Sequence, residues 1–203
     1  MIRYKIIVLF FIFATLVGCN CANYQKLENG VLITLKQSSV NDVQTVCLQV
    51  VNNDIIHVTA SPSKKLSENP SLIATYSPVT HTDWKVSQEK EDIILQTTTT
   101  KAIVSLKTGE IRFTDLKGKT ILQEQPGGGK TFKPIQADGH SGYTFRQVFE
   151  SPVDEAFYGL GQHQSDEFNY KGKNEVLYQY IRKYRYPLLY QTRITEFSGI
   201  IIP

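Results

Sequence analysis

The residues best suited to chemistry lie in one stretch, Phe157-Tyr158-Gly159-Leu160-Gly161-Gln162-His163-Gln164, followed by Phe168-Asn169-Tyr170-Lys171-Gly172-Lys173. Two glycines flank one leucine, so the backbone can turn where a side chain would block it. Amide and imidazole groups follow at once, and then aromatic rings. Flat apolar faces beside fixed hydrogen-bond donors and acceptors are the means of gripping a sugar. The same stretch also reads as a plain turn between strands that carries a few polar residues.

Catalysis needs more than grip. The adjacent acidic pairs near this stretch are Asp154-Glu155 and Asp166-Glu167. Neighbours on one strand point to opposite faces, so neither pair forms a dyad, and solvated turn carboxylates are the simpler reading. His57, His81 and His140 are scattered and read as surface or turn histidines. Trp84, the sole tryptophan, could stack on a sugar but is better explained as core filling. The three cysteines include no CxxC pair and no zinc spacing. No metal and no cofactor is expected.

The elements that must position this stretch are strands. Residues 30–35, 45–51 and 55–60 alternate with period two, and Asn52-Asn53-Asp54 supplies a turn, which predicts a hairpin. Residues 84–88 and 92–97 are further strands. Residues 101–106 and 111–114 make a second hairpin, with Gly109 where a turn needs positive φ. Residues 120–124 and 143–149 follow, separated by a flexible 126–129 segment. Helical periodicity is nearly missing after residue 22. Many short strands with frequent turn signals predict an all-β antiparallel sandwich.

Composition sets outer limits. The chain has 203 residues, 41% hydrophobic and 20% charged, with a net charge of +3. That balance opposes disorder, and the lack of a basic face or motif opposes nucleic-acid binding. Arg3 and Lys5 precede an apolar run over 6–17, too short to span a bilayer comfortably. Leu16-Val17-Gly18-Cys19 resembles a bacterial lipobox, which predicts lipidation at Cys19, a membrane anchor, and a periplasmic or outer-membrane location. An ordinary signal peptide cut near Ala22 is the alternative. Cys47 reads as a small buried residue. A Cys21–Cys47 disulfide stays open in an oxidising compartment, without support from spacing.

The ordered pieces I-I-x-V, T-G-E-I-R-F, D-x-K-G-K, Y-x-F-x-Q-x-F and Y-G-L-G-Q resemble the N-terminal domain of family 31 glycoside hydrolases, the α-glucosidase and α-xylosidase family. The resemblance implies a galactose-mutarotase-like sandwich over 23–180 that leads into a catalytic (β/α)8 barrel, with catalytic aspartates in motifs that do not occur here. It implies that Gln162, His163, Phe168 and Tyr170 edge the substrate pocket. It implies an α-xyloside or α-glucoside as partner of the parent enzyme, cleaved with retention, and a fragment inactive by itself. A stand-alone carbohydrate-binding or structural surface lipoprotein is the competing reading.

Residues 181–203 depart from the family pattern. A back-translation of residues 180–186 that the genetic code permits is TAT ATA CGG AAA TAT CGA TAC. With one A restored after TAT, the frame reads Y-N-T-E-I-S-I-P. The same frame can continue through residues 191–203 as D-K-N-Y-G-I-L-W-D-N-Y-S, the strand the family carries there. A one-base deletion near codon 181, followed by an out-of-frame tail, is therefore expected, against the alternative of a natural divergent C-terminus. The nucleotide sequence of the gene decides. A barrel encoded downstream in another frame supports the deletion, and no barrel in either other frame rejects it.

Overall fold

The computed structural model describes residues 23–39, 42–67, 82–159, 168–174, 188–191 and 195–198. Every regular element among them is a strand. One antiparallel sheet holds β1 (Tyr24–Lys26), β2 (Gly30–Thr34), β3 (Thr45–Val50) and β4 (Ile56–Ser61) in that order. A second, also antiparallel, holds β5 (Lys85–Glu89), β6 (Asp92–Gln96), β7 (Thr100–Ser105), β8 (Ile111–Asp115) and β9 (Thr120–Gln123). Each strand pairs with its neighbour in sequence, as short polar turns between alternating runs dictate.

The alternation decides which face goes inside. Val31, Ile33, Val46 and Leu48 of the first sheet and Ile93, Leu95, Val104 and Ile111 of the second are all but fully buried and belong to one cluster. Each such side chain contributes about 1.5–3 kcal/mol on burial. Trp84 is half-buried against this core, and the Lys26 ammonium lies 4.7 Å from its ring centroid, so the indole is a packing residue at the sandwich edge. Hydroxyls of Thr97 and Thr99 each donate to the Asn53 carbonyl at 2.6 Å, joining turns of the two sheets.

Gly109 turns β7 into β8 at φ +72°, and a Cβ there would lie 2.5 Å from Val43 Cγ1 and 2.7 Å from Leu35 Cδ1. The position therefore needs glycine for both its conformation and its space. Beneath it lies a buried ion pair. Lys130 Nζ meets the Glu124 carboxylate and donates to the Gly109 carbonyl at 3.1 Å, while the Ile111 amide donates to Glu124 Oε2 at 3.0 Å. Burial pushes the Glu124 carboxyl up and the Lys130 amine down, each opposed by its partner's charge.

Lys130 opens an element that alternation did not reveal. β10 (Lys130–Ala137) pairs with β11 (His140–Gln147) as a two-stranded ribbon around an Asp138-Gly139 turn. β10 escapes a sequence reading because only Lys130 and Phe132 of its eight residues are buried, and because Pro134 interrupts it. Proline is tolerated because both strands of a ribbon are edges. Bridges Asp42↔Thr131 and Glu124↔Phe149 fasten its base to the sandwich.

A third sheet holds β12 (Phe157–Gly159), β13 (Leu188–Gln191) and β14 (Thr195–Ser198). The divergent tail predicts an unpaired sandwich edge; β13 pairs with β12, Phe157 with Gln191 and Gly159 with Leu189, and joins neither main sheet. A ladder needs backbone groups in register more than it needs a particular side-chain pattern.

One further expectation needs correcting. His57 is not a surface or turn residue. It lies half-buried within β4, its Nδ1 3.2 Å from Gln49 Oε1. Cys47 is buried, as expected, and is a free thiol; Cys21 lies outside the described residues.

Three stability outcomes follow. Leu48→Ala should cost about 2–5 kcal/mol, measured by urea unfolding. Lys130→Met alone should cost about 3–5 kcal/mol by stranding Glu124, and adding Glu124→Gln should recover part of it. Burial lowers the His57 pKa below its ordinary 6.5. The folded state then binds fewer protons than the unfolded one, so the stability His57 confers is present above that ordinary value and lost as pH falls through the folded value. His57→Gln should flatten the acid-side fall in unfolding midpoint; an unchanged slope would contradict the assignment.

Candidate functional site

The glycine-bent stretch begins in β12 and returns at residue 168. Gly159 has φ +104°, where side chains are strongly disfavoured, which agrees with a sharp bend at that point. Asn169 anchors the returning chain: its Oδ1 accepts from the Phe157 amide and from the Lys171 amide, each at 3.0 Å. The Tyr170 amide donates to the Phe157 carbonyl at 2.9 Å. Lys171 Nζ donates to the Pro152 carbonyl, which ties the start of the corner to its end.

Two rings mark the corner. Tyr158 and Phe168 lie 4.9 Å apart between centroids, tilted by 50°. Phe168 is nevertheless 80% exposed, and Val153 nearby in sequence is 98% exposed. The Phe168 ring is thus held by a second ring yet open to water. Tyr170 is half-buried and bound through its backbone. Phe168 and Tyr170 therefore belong to one fastened corner, whereas Gln162 and His163 lie outside the described residues, as do His81, Asp166, Glu167 and Cys19.

The acidic pair reading holds in one half. Asp154 is exposed and its neighbour Glu155 is buried, so they face different surroundings and form no dyad. Glu155 is not a solvated turn carboxylate, however: it is 4% exposed, and its Oε2 has no hydrogen-bond partner. Nothing in the spacing singled out Glu155. Asn169 was missed as the corner's hydrogen-bonding hub, although an asparagine two residues before a lysine-glycine turn is a signal for such bonding. Among the described residues no His, Cys, Asp and Glu cluster could hold a metal ion. No helix among them is long and apolar enough to cross a membrane.

Fold and corner define the class, an antiparallel β-sandwich domain with a projecting ribbon and a bent aromatic edge. The profile of the glycosyl hydrolase 31 N-terminal galactose mutarotase-like domain matches residues 45–190. The chain belongs to that family.

Solved structures agree. The chain resembles a family 31 α-xylosidase from Xanthomonas citri at TM-score 0.75 and 35% identity, covering 83% of this chain and 18% of that one. A family 31 α-xylosidase from a soil metagenome, solved with xylose, matches at TM-score 0.67 and 22% identity, covering 84% and 26%. A Flavobacterium johnsoniae dextranase solved with isomaltotriose matches in fold at TM-score 0.62 and 18% identity, covering 86% and 21%. The chain thus spans a quarter or less of the length of most of these enzymes.

The geometry separates anchor from display. Asn169→Ala should lower stability by about 1 kcal/mol, because it removes one acceptor shared by two amides. Phe168→Ala should change stability by less than about 0.5 kcal/mol. Equal costs in urea unfolding would mean that the ring is structural.

Proposed function

We propose that the chain is the N-terminal sandwich of an enzyme that cleaves α-xylosidic or α-glucosidic bonds with retention, and that the sandwich has no hydrolytic activity of its own. The observation that carries this reading is 35% identity over 83% of the chain to an α-xylosidase. Retaining cleavage needs two carboxyl groups about 5–5.5 Å apart across the bond. Asp154 and Glu155, split between solvent and interior, do not supply them. The domain's part is then structural: it offers the corner of Tyr158, Phe168 and Tyr170 to the catalytic part, with Gln162 and His163 at the pocket edge. The exposed Phe168 ring suits a surface completed by a neighbour.

The same exposed ring favours the second reading, a carbohydrate-binding surface lipoprotein. In either case we propose lipidation at Cys19 and attachment to a periplasmic or outer-membrane face. For residues 181–203 we propose the shifted frame.

The purified 203-residue chain should release no nitrophenol from a p-nitrophenyl α-xyloside, whereas a gene with the frame restored at codon 181 should yield an enzyme that does. Turnover by the purified chain, free of contaminating enzyme, would overturn the reading. Cys19→Ser should move the protein from the membrane to the soluble fraction and abolish labelling by a fatty-acid probe.

A further inference from the structure

We propose that the outer half of the β10–β11 ribbon is a binding site for one ring of a neutral oligosaccharide. One face of the ribbon carries three cross-strand pairs in succession: Phe132 with Phe145, Pro134 with Tyr143, and Gln136 with Ser141. The first pair is the root. Phe132 is buried in the core, and its ring lies 5.1 Å from Phe145 and 6.2 Å, edge-on, from Tyr143. The aromatic stripe then leaves the interior. Tyr143 is 49% exposed, and a shallow depression of about 230 Å³ is lined by residues of the second and third pairs with Ile135 and Gly142.

Three features select the ligand. First, the site is small, below the roughly 300–1,000 Å³ of drug-sized pockets, so it suits a single ring. Second, the stripe carries no charge. By alternation Lys133 and Arg146 stand on the opposite face, and none of the six stripe residues offers a counter-charge to an acidic or basic ligand. Third, the polar pair stands one repeat beyond the aromatic pair, about 6.6–6.8 Å along the strands. A sugar ring with its C–H face on Tyr143 would bring its hydroxyls over Gln136 and Ser141.

That polar pair is pre-arranged. Gln136 Nε2 donates to Ser141 Oγ at 2.8 Å. Each side chain is thereby oriented and keeps an unused donor and acceptor for a ligand hydroxyl. The root is equally fixed, since the Asp42↔Thr131 and Glu124↔Phe149 bridges hold the ribbon at its base. This proposal rests on the ribbon's chemistry alone and stands whether or not a parent enzyme cleaves xylosides.

The test titrates the full chain, labelled with nitrogen-15, with isomaltotriose and separately with xylose. Saturable shifts should centre on the amides of Gln136, Ser141 and Tyr143. Tyr143→Ala should weaken binding about tenfold or more while keeping a dispersed spectrum, and Tyr143→Phe should retain most of it. Gln136→Ala should weaken it severalfold. Shifts confined to the corner at 157–174, binding unchanged in Tyr143→Ala, or ribbon shifts that follow protein concentration instead of sugar would each overturn the proposal. The last of these would mark the ribbon as a self-association edge.

Discussion

The structure depends on one constraint: each main sheet has an apolar face that only the other can cover. The four-stranded sheet alone would expose Val31, Ile33, Val46 and Leu48 to water, and the five-stranded sheet would expose Ile93, Leu95, Val104 and Ile111. Neither is a stable object by itself. Joined, they form one core, and the remaining features arrange themselves around its rim. Gly109 lets a turn approach Val43 and Leu35. The Glu124–Lys130 pair fills the space where β9 hands over to β10. Such a pair adds little net stability, but removing one member leaves a charge inside.

Period-two alternation made the sandwich legible. The hairpins at residues 45–61 and 85–96 and the turn at Gly109 follow from residue type, because in each strand one side is core and the other is not. The same rule fails where a strand has no buried side. β10 carries mostly exposed residues, and β1 is three residues long, so neither leaves a hydrophobic pattern to read. β13 and β14 failed for another reason: the 181–203 segment was judged by its likeness to a family pattern, whereas a ladder is built from backbone groups.

The corner was half legible. Two glycines and a run of polar and aromatic residues pointed to residues 157–173 as the chemically distinctive stretch, and the positive φ of Gly159 agrees. What sequence could not supply was the fastening. Asn169 binding two amides, Lys171 reaching the Pro152 carbonyl, and Glu155 turning inward are tertiary facts. They explain how a chain can hold an exposed phenylalanine ring at a set angle. On the proposed reading, a catalytic part would use such an edge, and the chain's membership of the family 31 N-terminal domain agrees with that reading.

Amide hydrogen exchange on the full chain tests the shared core most directly. If each sheet depends on the other, the slowest amides of β3 in one sheet and of β6 and β7 in the other should exchange with the same opening free energy, equal to that of global unfolding. A four-stranded sheet whose amides all exchange through a separate, lower-energy opening, while the five-stranded sheet stays protected, would contradict the account.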